Sequence, residues 1–272
     1  MRLSAVLTVL SLLALAGLAE AHAPVARVDY ADARIRSGND LRWADPDWDD
    51  CAWDPLEGAI ETGFGEFQEP GMAWLRFDVH LDPSGATGLI ASAVAAREVY
   101  WDGVLIGAAG QVGTDIESEQ PGPVDLILTV PDSLATPGAH VLAIRMSTFR
   151  RPAGLFGPYL LTVQVGSLRE LLVAPVREFW QPLVFLGGFL LVGLYYGALF
   201  VADRRRREYL LTSLLCLSVA ALLVAESWRW VVGYDYDLHL VRLRIVSGLT
   251  VAVGMLLAAT FVVQFRQQRG LW

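Results

Sequence analysis

Five aspartates fall within residues 45–54: Asp45, Asp47, Asp49, Asp50 and Asp54. Calcium takes several oxygen ligands from one locale, and this run could supply them. It lacks the glycine and the later glutamate of an EF-hand loop. The plainer reading is a solvated, turn-forming acidic loop, with calcium as the alternative and no metal site assigned. Carboxylates also serve glycoside hydrolysis, which needs two of them about 5–10 Å apart in a cleft. The chain has acids in plenty but no stretch that reads as a catalytic barrel around them. GxSxG, HExxH and P-loop motifs are absent, and His22, His80, His140 and His239 are scattered. His80 and His140 fall in strand-like runs and read as face residues rather than ligands. Cys51 and Cys216 have no metal-ligand spacing and read as two unpaired, buried small apolar residues. The expectation is a non-enzyme with no cofactor.

The elements that carry these residues begin with an export signal. Arg2 precedes an apolar run over 3–18, and Ala19-Glu20-Ala21 supplies a small-x-small cleavage pattern. Residues 1–21 are therefore expected to be a signal peptide. Three later segments, 182–202, 209–225 and 245–265, are apolar enough to cross about 30 Å of hydrocarbon, the middle one only marginally. Arg204, Arg205, Arg206 and Arg207 fill the 203–208 loop between the first two. The positive-inside rule places that loop, and the 266–272 end with its two arginines, in the cytoplasm. The 226–244 loop is then periplasmic, although Arg229, Arg242 and Arg244 dilute the bias. Trp228, Trp230, Tyr234 and Tyr236 there read as an interfacial aromatic belt rather than a ligand platform. Inner-membrane localisation follows, with the N-terminal domain in the periplasm and the lipid bilayer as a partner.

Composition agrees. The 272 residues are 54% hydrophobic and 18% charged, with mean hydropathy +0.43 and net charge −8. Soluble domains carry about 25% charge. From His22 to Glu170 there are 22 acidic residues against 10 arginines, which excludes a nucleic-acid partner for that region. Short alternating runs fill it: 74–81, 124–130, 140–147 and 160–165. Asp102-Gly103 lies between two further apolar runs and predicts a hairpin with positive φ at both turn positions. Strands at this spacing predict an all-β sandwich or jelly roll over 22–166, a juxtamembrane segment over 167–181, and then the helices. Trp48, Trp53 and Trp74 are expected in the sandwich core.

At this point the residues carry a resemblance. DPDWDDCAWDPLEG (45–58) is similar to the aspartate-rich entry of galactose-binding-like jelly rolls, including the sugar-binding domain of glycoside hydrolase family two. Trp74-Leu75-Arg76, then Val99-Tyr100-Trp101-Asp102-Gly103, then 140–145 follow in that pattern's order, with Asp102 where the pattern has Asn. RRPAGLFGPYLL (150–161) and YYGALFVADRRRREYLL (195–211) extend the likeness to the bacterial seven-transmembrane receptors with diverse intracellular signalling modules. The resemblance implies a membrane-bound sensor whose output is a histidine kinase or diguanylate cyclase, and a possible homodimer. It implies seven helices, so the chain is expected to be a truncated or split piece. It implies a sugar-type site at the sandwich edge, with Trp101, Arg97, Glu98, Phe64, Glu66 and Arg151 as candidates. The periplasmic ligand would be a small molecule, with carbohydrate-like chemistry as the first expectation, or a protein. The alternative is a membrane-tethered carbohydrate- or protein-binding scaffold without signalling.

Overall fold

A computed structural model describes residues 28, 32–56, 70–81, 86–151 and 160–269. The expected signal peptide over 1–21 lies outside them. Nine strands come first: β1 Arg34–Ser37, β2 Asp54–Pro55, β3 Met72–Leu81, β4 Thr87–Ala93, β5 Ala96–Trp101, β6 Val104–Ala109, β7 Asp125–Thr129, β8 Gly138–Ser147 and β9 Leu160–Ser167. They form a six-stranded sheet ordered β2-β1-β3-β8-β5-β6 and a three-stranded sheet ordered β7-β4-β9, with every pairing antiparallel.

The two sheets close on one core. Leu75, Phe77 and Val79 of β3, Leu142 and Ile144 of β8, and Val99 and Trp101 of β5 meet Leu89 and Ala91 of β4 and Val163 and Val165 of β9. These positions are spaced by two because successive strand residues point to opposite faces. Each large side chain buried there contributes about 1.5–3 kcal/mol.

The simple in–out alternation expected for 74–81 fails in the first half of β3, where Trp74, Leu75, Arg76 and Phe77 are all buried. The outer face is roofed by residues 41–53. Trp43 stands edge-on to Trp53 (5.2 Å, 67°) and to Trp74 (6.3 Å, 78°). The tryptophans are core residues, but of this second, outer cluster, with Trp48 at its margin. Arg76 ties the roof down. Its Nε donates to Asp50 (2.7 Å) and its Nη1 to the carbonyls of Trp43 (2.7 Å) and Asp45 (2.8 Å). Cys51, expected to be buried, is exposed on this roof, because the tryptophans fill the space beneath. Cys216 is buried, and both cysteines are free.

The Asp102-Gly103 hairpin forms as expected, with φ of 47° and 79°. Asp102 also binds the neighbouring strand. Its Oδ1 accepts the Val141 N–H (2.8 Å) and its Oδ2 faces His140 Nδ1 (2.6 Å).

Three helices follow: α1 Leu168–Ala202, α2 Arg207–Val231 and α3 His239–Arg269. The expected juxtamembrane segment is helical and continuous with the first apolar run. Helix α1 starts directly after β9 and rests on β4. The Leu168 N–H donates to Ala86 (2.9 Å), and a Cβ on Gly88 would lie 2.9 Å from the Leu168 Cα. Stretches Trp180–Ala202, Arg207–Val231 and Tyr236–Val263 are long and apolar enough to cross a membrane. Helix α2 packs against α1 and α3. At the α1–α2 crossing Ser213 Oγ donates to the Gly193 carbonyl (2.8 Å), and a Cβ on Gly193 would meet Leu217 at 2.9 Å.

Candidate functional site

Strand period splits the expected ligand residues. Arg97 and Trp101 share the inner side of β5, and Glu98 the outer. Trp101 is fully buried between the sheets, its indole N–H donating to the Leu134 carbonyl (3.2 Å), so its ring offers no face to solvent. Arg97 is fully buried and donates to the carbonyls of Ala91 (2.6 Å), Val124 (2.9 Å), Ala95 (3.2 Å) and Ala93 (3.4 Å). Burial pulls its guanidinium down to about 10, with Asp125 offsetting part of the effect and Arg229 adding to it. It remains a cation at neutral pH. Arg151 lies half-buried beyond β8, where its N–H donates to Thr148 (3.1 Å). Phe64 and Glu66 lie outside the described residues.

Glu98 alone of the described candidates pairs with other polar side chains on a partly exposed face, at the edge of the tryptophan roof. It accepts Tyr100 Oη–H (2.8 Å) and Arg145 Nη1–H (2.8 Å). Arg145 in turn donates from Nε to Asn39 Oδ1 (2.9 Å). The registers line up one row across four strands: Arg36, Trp74, Arg145, Glu98. Burial, with help from Glu98, pushes the Tyr100 phenol up to about 12, so it stays a donor. The face thus combines a carboxylate, a guanidinium and a half-buried tyrosine ring 5.5 Å from Trp74. Neither Arg145 nor Tyr100 was singled out from the sequence, because alternation alone does not say which strands become neighbours.

The acidic loop is turn-forming. Asp45 Oδ1 accepts the Asp47 N–H and Asp49 Oδ1 the Cys51 N–H, each at 3.0 Å, while Asp50 pairs with Arg76. Among the described residues no three His, Cys, Asp or Glu side chains converge as metal ligands would.

A second constellation joins the sandwich to the helices. Asp125, the first residue of β7, takes a two-pronged ion pair from Arg229 near the end of α2, at 2.7 and 2.6 Å. Ser92 Oγ donates to the same carboxylate (2.5 Å). Burial opposes the Asp125 charge, but Arg229 and Ser92 outweigh it and hold the carboxyl below its usual range. The backbone continues the seam: Val124 N–H donates to Tyr234 (3.2 Å) and Tyr236 N–H to Gly122 (3.0 Å). The Tyr236 hydroxyl donates to Glu119, and both side chains are fully buried. Glu119 also accepts the N–H groups of Phe149 (3.0 Å) and Arg150 (2.8 Å). Of the four aromatics expected as a belt, Trp228 and Trp230 are exposed, while Tyr236 is a buried plug. Two of the arginines that run against the charge bias are neutralised, Arg229 by Asp125 and Arg242 by Glu226. The sequence signal for the seam is slight: a lone arginine at a helix end and a Tyr-Asp-Tyr loop.

No protein-family model matches the chain, and no curated protein matches it. Solved structures similar to it include β-glucuronidase 2 of Bacteroides uniformis, at 16% identity and TM-score 0.37, covering 51% of this chain and 17% of that one. A β-glucuronidase of glycoside hydrolase family 2 has 15% identity and TM-score 0.39, over 54% and 18%. The exo-chitosanase CsxA of Amycolatopsis orientalis has 13% identity and TM-score 0.34, over 49% and 20%. The chain spans about a fifth or less of the length of these enzymes. The resemblance is of a sheet-rich region to part of each.

Proposed function

We propose that the chain is the membrane-bound input module of a bacterial signalling receptor. Its sandwich is a galactose-binding-like jelly roll held in the periplasm, and its three helices sit in the inner membrane. A periplasmic ligand, carbohydrate-like in chemistry, binds the partly exposed face around Glu98, Arg145 and Tyr100. The helices pass the change to a cytoplasmic output of the histidine kinase or diguanylate cyclase class. The observation that carries this reading is the seam: ion pair, buried tyrosine and backbone bonds grip the α2–α3 connection from the sandwich side. A tether would need only the α1 junction. A ligand acts through such a seam only if it binds one arrangement of it better than another.

The test uses the full chain in lipid nanodiscs, a panel of mono- and oligosaccharides, and hydrogen exchange. One saccharide class is expected to slow exchange in β5 and β8 and to alter it over 232–238. Slowed exchange in the strands with no change over 232–238 would leave a binding module without signalling, the alternative reading.

A further inference from the structure

A cleft of about 540 Å³ opens between α2 and α3 at the end nearest the sandwich. That is within the range of ligand sites, about 300–1,000 Å³. Its walls are apolar, with Val224 and Ala225 from α2 facing Val241 from α3. Its rim is not. Trp228, Tyr234 and Arg242 ring it, the residue types that sit at the level of lipid headgroups. Arg242 bonds the Glu226 carboxylate (2.5 Å) and the carbonyls of Ala225 (3.2 Å) and Glu226 (3.0 Å). Glu226 is half exposed and the arginine is mostly covered, with its remaining Nη1 among the atoms that can turn to the rim, so a cation and an anion stand side by side there.

Tyr234 belongs to two sites at once. Its ring lines the cleft and stacks near His239, with its hydroxyl 2.8 Å from Nδ1. Its carbonyl accepts the Val124 N–H in the seam. Gly233, at φ 70°, turns the chain so that both contacts form. Whatever fills the cleft therefore bears on the residue that holds the sandwich.

We infer that this cleft binds an acyl chain of a zwitterionic phospholipid from the outer leaflet, with the headgroup at the Arg242–Glu226 pair. This rests on the membrane reading above: between two spanning helices, an apolar cleft faces hydrocarbon rather than water. The chemistry of the rim selects the headgroup. Phosphate meets the guanidinium and the ammonium meets the carboxylate, whereas a purely anionic headgroup leaves Glu226 opposed. Occupancy would stiffen Tyr234 and so set the resting state of the seam.

The full chain in nanodiscs is photolabelled with a phosphatidylethanolamine carrying a diazirine in its acyl chain, and labelled residues are mapped by mass spectrometry. Labelling is expected to concentrate on Val224, Trp228 and Val241 relative to the exposed α1 residues Leu190, Leu191 and Leu194. Unlabelled phosphatidylethanolamine should compete at the cleft several-fold better than phosphatidylglycerol. Ala225→Phe, and independently Ala221→Phe, should cut cleft labelling at least fivefold and leave the α1 labelling intact, which reports correct insertion. Equal labelling of cleft and α1, or no response to either variant, overturns the cleft. Equal competition by phosphatidylglycerol overturns the headgroup assignment. Absence of label from all three helices overturns the membrane reading itself.

Discussion

His140 shows how much one residue's neighbours decide. Both its ring nitrogens face acceptors, Asp102 Oδ2 at 2.6 Å and the Thr136 carbonyl at 2.7 Å, so both must donate and the ring is an imidazolium. Burial opposes that charge, but the bonds to Asp102 and Thr136 outweigh it and raise the pKa above the usual histidine value. A histidine pKa raised on folding stabilises fully below the unfolded value of about 6.5, and the contribution fades as pH rises through the folded value. Thermal denaturation of the detergent-solubilised chain should therefore show a midpoint that falls as pH rises from the unfolded value through the folded one. Asp102→Asn should remove that dependence, since its amide must turn a donor toward either His140 or the Val141 N–H. The cost at acidic pH should be about 1–3 kcal/mol, that of a charged hydrogen bond lost. The turn itself was legible from Asp-Gly between apolar runs. The partnership was not, because His140 lies 38 residues away and a lone histidine announces no neighbour.

At the scale of elements, periodicity was a good guide where one face meets water and a poor one where both are covered. Strands β3, β7, β8 and β9 were legible as alternating runs, and β5 and β6 as the arms of the Asp102-Gly103 hairpin. Strand β4, TGLIASA, carries small residues and is buried along its whole length. The core covers one side; on the other, α1 packs at Gly88 and the Asp125–Arg229 pair covers Ser92, so no side faces water and none reads as polar. The roof over β3 had its own sign, a dense run of aspartate and tryptophan; its turns and its core tryptophans were legible there, but its attachment through Arg76 was not. Arg76→Leu should therefore cost about 3–5 kcal/mol, since it strips Asp50 and the carbonyls of Trp43, Asp45, Pro46 and Trp48 of their partner. Asp50→Asn should cost far less, because the arginine keeps its carbonyls. Thermal unfolding, with tryptophan fluorescence as readout, separates the two. Between helices, Gly193 is the sensitive position. Gly193→Val should drive α1 from α2, because Leu217 and Cys216 already occupy the space a Cβ needs. On the membrane reading proposed above, Ser213→Ala should cost only about 0.6 kcal/mol, the usual worth of one interhelical hydrogen bond in lipid. Steric-trapping measurements in bicelles would compare them.

At the scale of the molecule, three apolar runs and an arginine-rich loop were plain in the sequence, and so was a β region ahead of them. How the two parts grip each other was not, since Glu119, Asp125, Arg229 and Tyr236 come from segments more than 100 residues apart and none has a motif. The grip is also electrically asymmetric. Asp125 stands between two arginines: Arg229, which it binds directly, and Arg97, which is buried close by. Removing Arg229 leaves Asp125 with Arg97 and Ser92. Removing the Asp125 charge leaves two cations facing each other with no anion between them. Asp125→Asn should thus weaken the seam more than Arg229→Gln, by about 3 kcal/mol or more against a smaller loss. The double variant should cost less than the sum, because the two act on one bond. Asp125 is held below its usual pKa, so its contribution is present above about pH 4, the unfolded value, and is lost as pH falls through the folded value. The protection of the 232–238 amides, measured against their intrinsic exchange rate at each pH, should fall on acidification of the wild type and be low at all pH in Asp125→Asn. If protection there is high and pH-independent in both, the ion pair is not what holds the sandwich to the helices.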